Sequence, residues 1–66
     1  PHPASGIVKV SANSKVEILT VFSMTGQKVL ESDKETVNVS SLNAGIYLVK
    51  VTLINGETAS KKLIKE

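Results

Sequence analysis

The stretch Ile46-Tyr47-Leu48-Val49-Lys50-Val51-Thr52-Leu53-Ile54 is followed by Asn55-Gly56 and a returning run from Thr58 to Ile64. Its reading decides the fold class. In an extended chain Tyr47, Val49, Val51 and Leu53 fall on one face, and Ile46, Leu48 and Ile54 on the other. A strand that is apolar on both faces belongs at the centre of a sheet, or under a cover on its outer face. Asn-Gly is the favoured pair for a two-residue type I′ hairpin. The spacing therefore predicts two antiparallel strands joined at Asn55 and Gly56. The closing residues Lys62, Leu63, Ile64, Lys65 and Glu66 are expected to carry folded structure to the end of the sequence.

The upstream residues follow the same habit. Ile7 to Val10 is a short extended run after the turn-like Pro1-His2-Pro3-Ala4-Ser5-Gly6, whose prolines disfavour a helix. Val16 to Phe22 is rich in β-branched residues. Simple alternation puts Val16, Ile18 and Phe22 on one face and Leu19 and Val21 on the other. Met24-Thr25-Gly26-Gln27 reads as a turn, with Gly26 free to adopt positive φ. Lys28 to Glu31 returns as a strand, and Ser32-Asp33-Lys34-Glu35 is a charged tip. Thr36 to Val39 alternates polar with apolar, as a half-buried strand does. In the following loop Leu42 is expected to plug the core, while Asn43 and Gly45 shape the turn. About six short strands at this spacing predict an all-β protein, an antiparallel sandwich or barrel.

Bulk composition narrows the function. Sixty-six residues make one small domain, and its twenty Val, Ile and Leu residues make the core aliphatic. Phe22 and Tyr47, the only aromatics, are in phase with aliphatic neighbours and are expected in the core. The eight basic residues are all lysine and are interleaved with acids, for a net charge of +2. Phosphate and base-edge readers favour the planar fork of arginine, so no nucleic acid is expected as a partner. No apolar run is long enough for a membrane-spanning helix, and no direct membrane insertion is expected. With no cysteine and the single histidine, His2, between two prolines, the sequence offers no metal or cofactor ligand set. No carboxylate pair, Gly-x-Ser-x-Gly elbow or phosphate loop occurs, so the chain is not expected to be an enzyme. Asn38-Val39-Ser40 matches the N-glycosylation pattern, but Asn38 lies in a strand pattern and is read as structural.

Four stretches, spanning nearly the whole chain, resemble one family. Pro1-His2-Pro3-Ala4-Ser5-Gly6 resembles an Asn-Pro-x-x-Gly opening, with His2 where asparagine is usual. Val21-Phe22-Ser23-Met24-Thr25-Gly26-Gln27-Lys28-Val29 is similar to its strand-turn-strand motif, with Ser23 where Asn or Asp is commoner. Leu42-Asn43-Ala44-Gly45-Ile46-Tyr47-Leu48-Val49-Lys50-Val51 matches a Leu-x-x-Gly-x-Tyr-x-Val-Lys run. Lys61-Lys62-Leu63-Ile64-Lys65 resembles the terminal Lys-Leu-Ile-Lys signature, followed here by Glu66. The family is the type A C-terminal sorting domain of the type IX secretion system of Bacteroidetes.

This resemblance implies an immunoglobulin-like sandwich of about six to seven strands. It implies that residues 1–66 are a single sorting domain, a piece of a longer secreted precursor. The expected partners are the outer-membrane translocon and a sortase-type peptidase that removes the domain when the cargo is attached to the cell surface. Lys62, Leu63, Ile64 and Lys65 are then expected in the recognition region, and Gly26, Gly45, Tyr47, Asn55 and Gly56 in the structural motif. An exposed final strand suits strand addition by a receptor. Self-association through strand edges is a further expectation. The alternative role is a passive spacer or carbohydrate-binding accessory module of a secreted enzyme.

Overall fold

The computed structural model describes residues 6–66, so the Pro1-to-Ser5 part of the opening motif lies outside the described residues. Six strands form: β1 (Ile7–Lys9), β2 (Val16–Ser23), β3 (Lys28–Ser32), β4 (Thr36–Asn38), β5 (Gly45–Leu53) and β6 (Thr58–Lys65). They build two antiparallel sheets. One has four strands in the order β3-β2-β5-β6, and the other pairs β1 with β4. The chain is therefore an all-β sandwich with layers of unequal width, as the strand spacing predicts.

The core lies between the layers. Leu19 and Val21 of β2, Val49 and Val51 of β5 and Leu63 of β6 supply the larger sheet's share, with Val37 of β4 and Val39 above them. Val8, Val10, Leu30, Leu42 and Tyr47 pack around this cluster, half-buried. Leu42 thus takes the plugging position expected of it. The burial drives association of the two layers, at about 25 cal/mol for each Å² of apolar surface removed from water.

Three expectations need correcting. Val16 does not share a face with Ile18 and Phe22. The β2–β5 register pairs Val16 with Leu53 and Ile18 with Thr52, so Glu17 is an extra residue in a bulge. That insertion turns Val16 to the core beside Leu19 and Val21, where it is 7 % exposed. Phe22, still in phase with Ile18, sits half-buried on the outer face of the larger sheet and is not among the core residues.

The hairpin at Asn55-Gly56 is the third. A type I′ turn needs positive φ at both central residues. Here Gly56 has φ 93° and, among the described residues, none other than glycine has positive φ. The Gly56 N–H donates to the Leu53 carbonyl at 2.9 Å, and the Leu53 N–H to the Glu57 carbonyl at 2.8 Å. This is a three-residue loop, Ile54-Asn55-Gly56, closed by a glycine bulge. The Asn55 side chain strengthens it, its Oδ1 accepting from the Glu57 N–H at 3.0 Å. The β2–β3 turn is built the same way: Gly26 (φ 89°) donates to Ser23, and Ser23 donates to Gln27.

Candidate functional site

The terminal hairpin, β5 and β6, holds the residues expected in the recognition region. β5 and β6 hold an unbroken ladder from Gly45↔Lys65 to Thr52↔Thr58. β6 is the last strand of its sheet, so its other side has no strand neighbour among the described residues. The Leu53–Glu57 bond fixes the phase of the ladder. Hydrogen-bonded and non-hydrogen-bonded pairs alternate from there. Ala59, Lys61, Leu63 and Lys65 therefore spend their backbone groups on β5. Thr58, Ser60, Lys62 and Ile64 turn theirs to the open edge.

Each residue expected in the recognition region can be placed. Lys62 is exposed, Ile64 and Lys65 are half-buried, and Leu63 is buried in the core at 6 % exposure. Leu63 thus anchors the strand, while its neighbours on either side present the edge. The ion pairs Lys9–Glu35, Lys28–Glu31 and Lys34–Asp33 are exposed and include neither Lys61 nor Lys62. Such pairs add little stability. Lys61 and Lys62 enter no ion pair among the described residues, while the Lys65 ammonium donates to the Glu66 carbonyl oxygen at 3.0 Å.

Gly45, Tyr47, Asn55 and Gly56, four of the five expected structural residues, lie in the same hairpin. The Tyr47 hydroxyl donates to the Asn43 carbonyl at 2.7 Å, tying the start of β5 to the loop before it. This is the bond of a tyrosine corner, a feature of immunoglobulin-like sandwiches. Gly45 opens β5 against the same ring. A Cβ built there would lie 4.0 Å from Tyr47 Cε1, an ordinary contact. Gly56 and Asn55 close the other end. Gly26 belongs to the β2–β3 turn, away from this ladder.

The larger sheet also carries an apolar outer surface. Ile46, Leu48, Phe22, Ile18 and Ile64 lie on the outer face of the larger sheet, with Ile46 45 % and Leu48 40 % exposed. The two-sided apolar pattern of β5 was the available signal, since it allowed for a face needing a cover. Asn38 is exposed, and its Oδ1 accepts from the Ser40 N–H at 2.9 Å and from the Ser40 hydroxyl at 2.6 Å. It therefore closes the turn after β4. Among the described residues no group of His, Cys, Asp and Glu side chains could hold a metal ion.

The fold is a small antiparallel β-sandwich whose last described strand is an open, lysine-bearing edge. The sequence matches the family described as secretion system C-terminal sorting domain over residues 1–66, and the chain belongs to that family. The family is the C-terminal sorting signal of type IX secretion, which marks proteins for secretion or for attachment to the cell surface. The chain is also 33 % identical over 66 residues to Beta-agarase D of Zobellia galactanivorans, a match covering 97 % of this chain. It spans 14 % of that relative's length. No solved structure matches.

Proposed function

We propose that the chain is read by the type IX outer-membrane translocon through its terminal hairpin, Tyr47 to Lys65, and is removed by a sortase-type peptidase as the cargo is fixed to the cell surface. The observation that carries this reading is the one-sided pairing of β6. Its core side is pinned by Leu63 and by the ladder to β5. Its free side offers the N–H and C=O groups of Thr58, Ser60, Lys62 and Ile64. A receptor strand would complete these bonds, with Lys62 and Lys65 restricting which strands can approach. Gly45, Tyr47, Asn55 and Gly56 hold the hairpin in shape and touch no partner. A carbohydrate platform would need exposed aromatic faces, and both aromatics here are half-buried.

The test is a cargo fusion carrying the chain at its C-terminus, expressed in a host with type IX secretion. Deleting Lys62 to Glu66 should leave the cargo in the periplasm. The double substitution Lys62→Glu with Lys65→Glu keeps the ladder and should reduce surface delivery without lowering thermal stability. Normal surface delivery of both variants would sink the proposal.

A further inference from the structure

Ala59 and Lys61 stand on the core side of the larger sheet, opposite Val51 and Val49 of β5. Their β5 neighbours are 7 % and 4 % exposed, yet Ala59 and Lys61 are themselves exposed. The second layer explains this. β1 is three residues long and, among the described residues, pairs with β4 alone. No described strand lies beside β1 over β6. What remains is a groove of about 1030 Å³, walled by β1 and β6 and floored by Val49, Val51 and Leu53.

The wall formed by β1 has unused bonds of its own. The Val39 N–H donates to the Gly6 carbonyl at 2.8 Å, and the Val10 N–H to the Glu35 carbonyl at 2.9 Å. With the β1–β4 register, these bonds put Gly6, Val8 and Val10 in the hydrogen-bonded phase. Ile7 and Lys9 therefore turn their N–H and C=O groups away from β4, toward the groove. One more strand would fit beside β1 with its alternate side chains on the floor.

Charge says what kind of strand. Lys61 projects into the groove from the far wall, and Lys9 stands on the near one. The one acid in the lining, Glu57, sits at the turn end with its Oε1 accepting from Asn55 Nδ2 at 3.0 Å. A purely apolar strand would bury the Lys61 ammonium without a partner, at a cost of several kcal/mol by order of magnitude. A second copy of this chain carries a net charge of +2, the same sign as Lys61. An acidic side chain opposite Lys61 removes the penalty and makes the lysine a selector.

We propose that the groove between β1 and β6 is a second interaction surface, a slot for one extended segment of a partner protein that pairs with β1. The segment carries an acidic side chain opposite Lys61, flanked on the same face by apolar ones that rest on Val49, Val51 and Leu63. The wall from Glu57 to Leu63 is about 20 Å long at about 3.3 Å per residue, so the slot takes about seven residues. Thr58 and Lys62 of β6 belong to its lining, but the backbone bonds it offers are those of Ile7 and Lys9 and not those of the β6 edge, and it requires no secretion machinery. Its failure would leave the sorting reading standing, and the converse also holds.

The test uses the 66-residue chain and a capped peptide of sequence Thr-Val-Thr-Glu-Thr-Val-Thr at low ionic strength. Titration followed by amide NMR should saturate, with the largest shifts at Ile7, Lys9 and residues 59–63. Lys61→Glu should weaken binding about tenfold, the equivalent of about 1.4 kcal/mol. A peptide with lysine at its centre should recover that loss. Lys61 is exposed, so this substitution leaves the fold intact. Ile7→Pro removes an N–H that β4 does not use, and should abolish binding. The proposal is overturned by an unsaturable titration, by undiminished binding to Ile7→Pro, or by shifts confined to Thr58, Ser60, Lys62 and Ile64. Shifts at the groove that grow with protein concentration in the absence of peptide would assign it to a second copy, and would also overturn it.

Discussion

The two hairpins of the larger sheet have the same turn and different fates. Both close through a three-residue loop with glycine at positive φ, Gly26 in one and Gly56 in the other. The β2–β3 ladder is broken by a bulge between Val21 and Phe22, and β3 lies against β4 of the second layer. The β5–β6 ladder runs through eight unbroken pairs, yet its outer strand is largely uncovered. Local turn chemistry thus makes a hairpin. Coverage by the other layer decides how much of that hairpin stays exposed.

The largest expected effect comes from the scaffold. Leu19→Ala, at a fully buried position of β2, should cost about 2–5 kcal/mol, read as a fall in the urea midpoint. Leu63→Ala should fall at the low end of that range, because only the anchor of β6 is buried. If Leu63→Ala proves silent, β6 is not docked and the contrast between the hairpins collapses. Gly26→Ala and Gly56→Ala sharpen the comparison from the turn side. Each forces a Cβ into the left-handed region, so each should cost about 1–2 kcal/mol, and the two losses should be alike. A large inequality in their thermal midpoints would mean that the turns are not equivalent.

Smaller effects separate fold from recognition within the second hairpin. Tyr47→Phe deletes the hydrogen bond to Asn43 and should cost about 0.5–1.5 kcal/mol, visible as a modest drop in Tm. Lys62→Thr should change stability by less than about 0.5 kcal/mol, since the side chain is exposed and has no ion pair. A loss comparable to that of Leu63→Ala would assign Lys62 to the scaffold.

Much of this architecture was legible in the sequence. Alternation in Thr36 to Val39 and the two-sided pattern of Ile46 to Ile54 located their strands, because side-chain period is a local property. Gly26 and Gly56 marked turns because only glycine takes their backbone angles without strain. The Glu17 bulge was hidden. It depends on how β2 meets β5, and no local preference of Val16, Glu17 or Ile18 announces an inserted residue. The turn type at Asn55 was hidden for a related reason: Asn-Gly suits two loop lengths, and the ladder selects between them. The terminal lysines were readable as candidates. The groove beside β1 was not, since it arises where, among the described residues, one layer has no strand opposite a strand of the other.

The order of assembly follows from β5 standing beside β2 at the middle of the larger sheet. The chain must be synthesised through its last third before β2 can gain its second neighbour, and β6 cannot settle until β5 has done so. Contacts this distant in sequence make folding slow and late. A shortened product ending before Gly45 would lack a finished sheet and stay uncollapsed, while the full-length one closes. The segment from Gly45 to Lys65 thus supplies two of the four strands of the larger sheet, and the sheet closes only once that segment is in place.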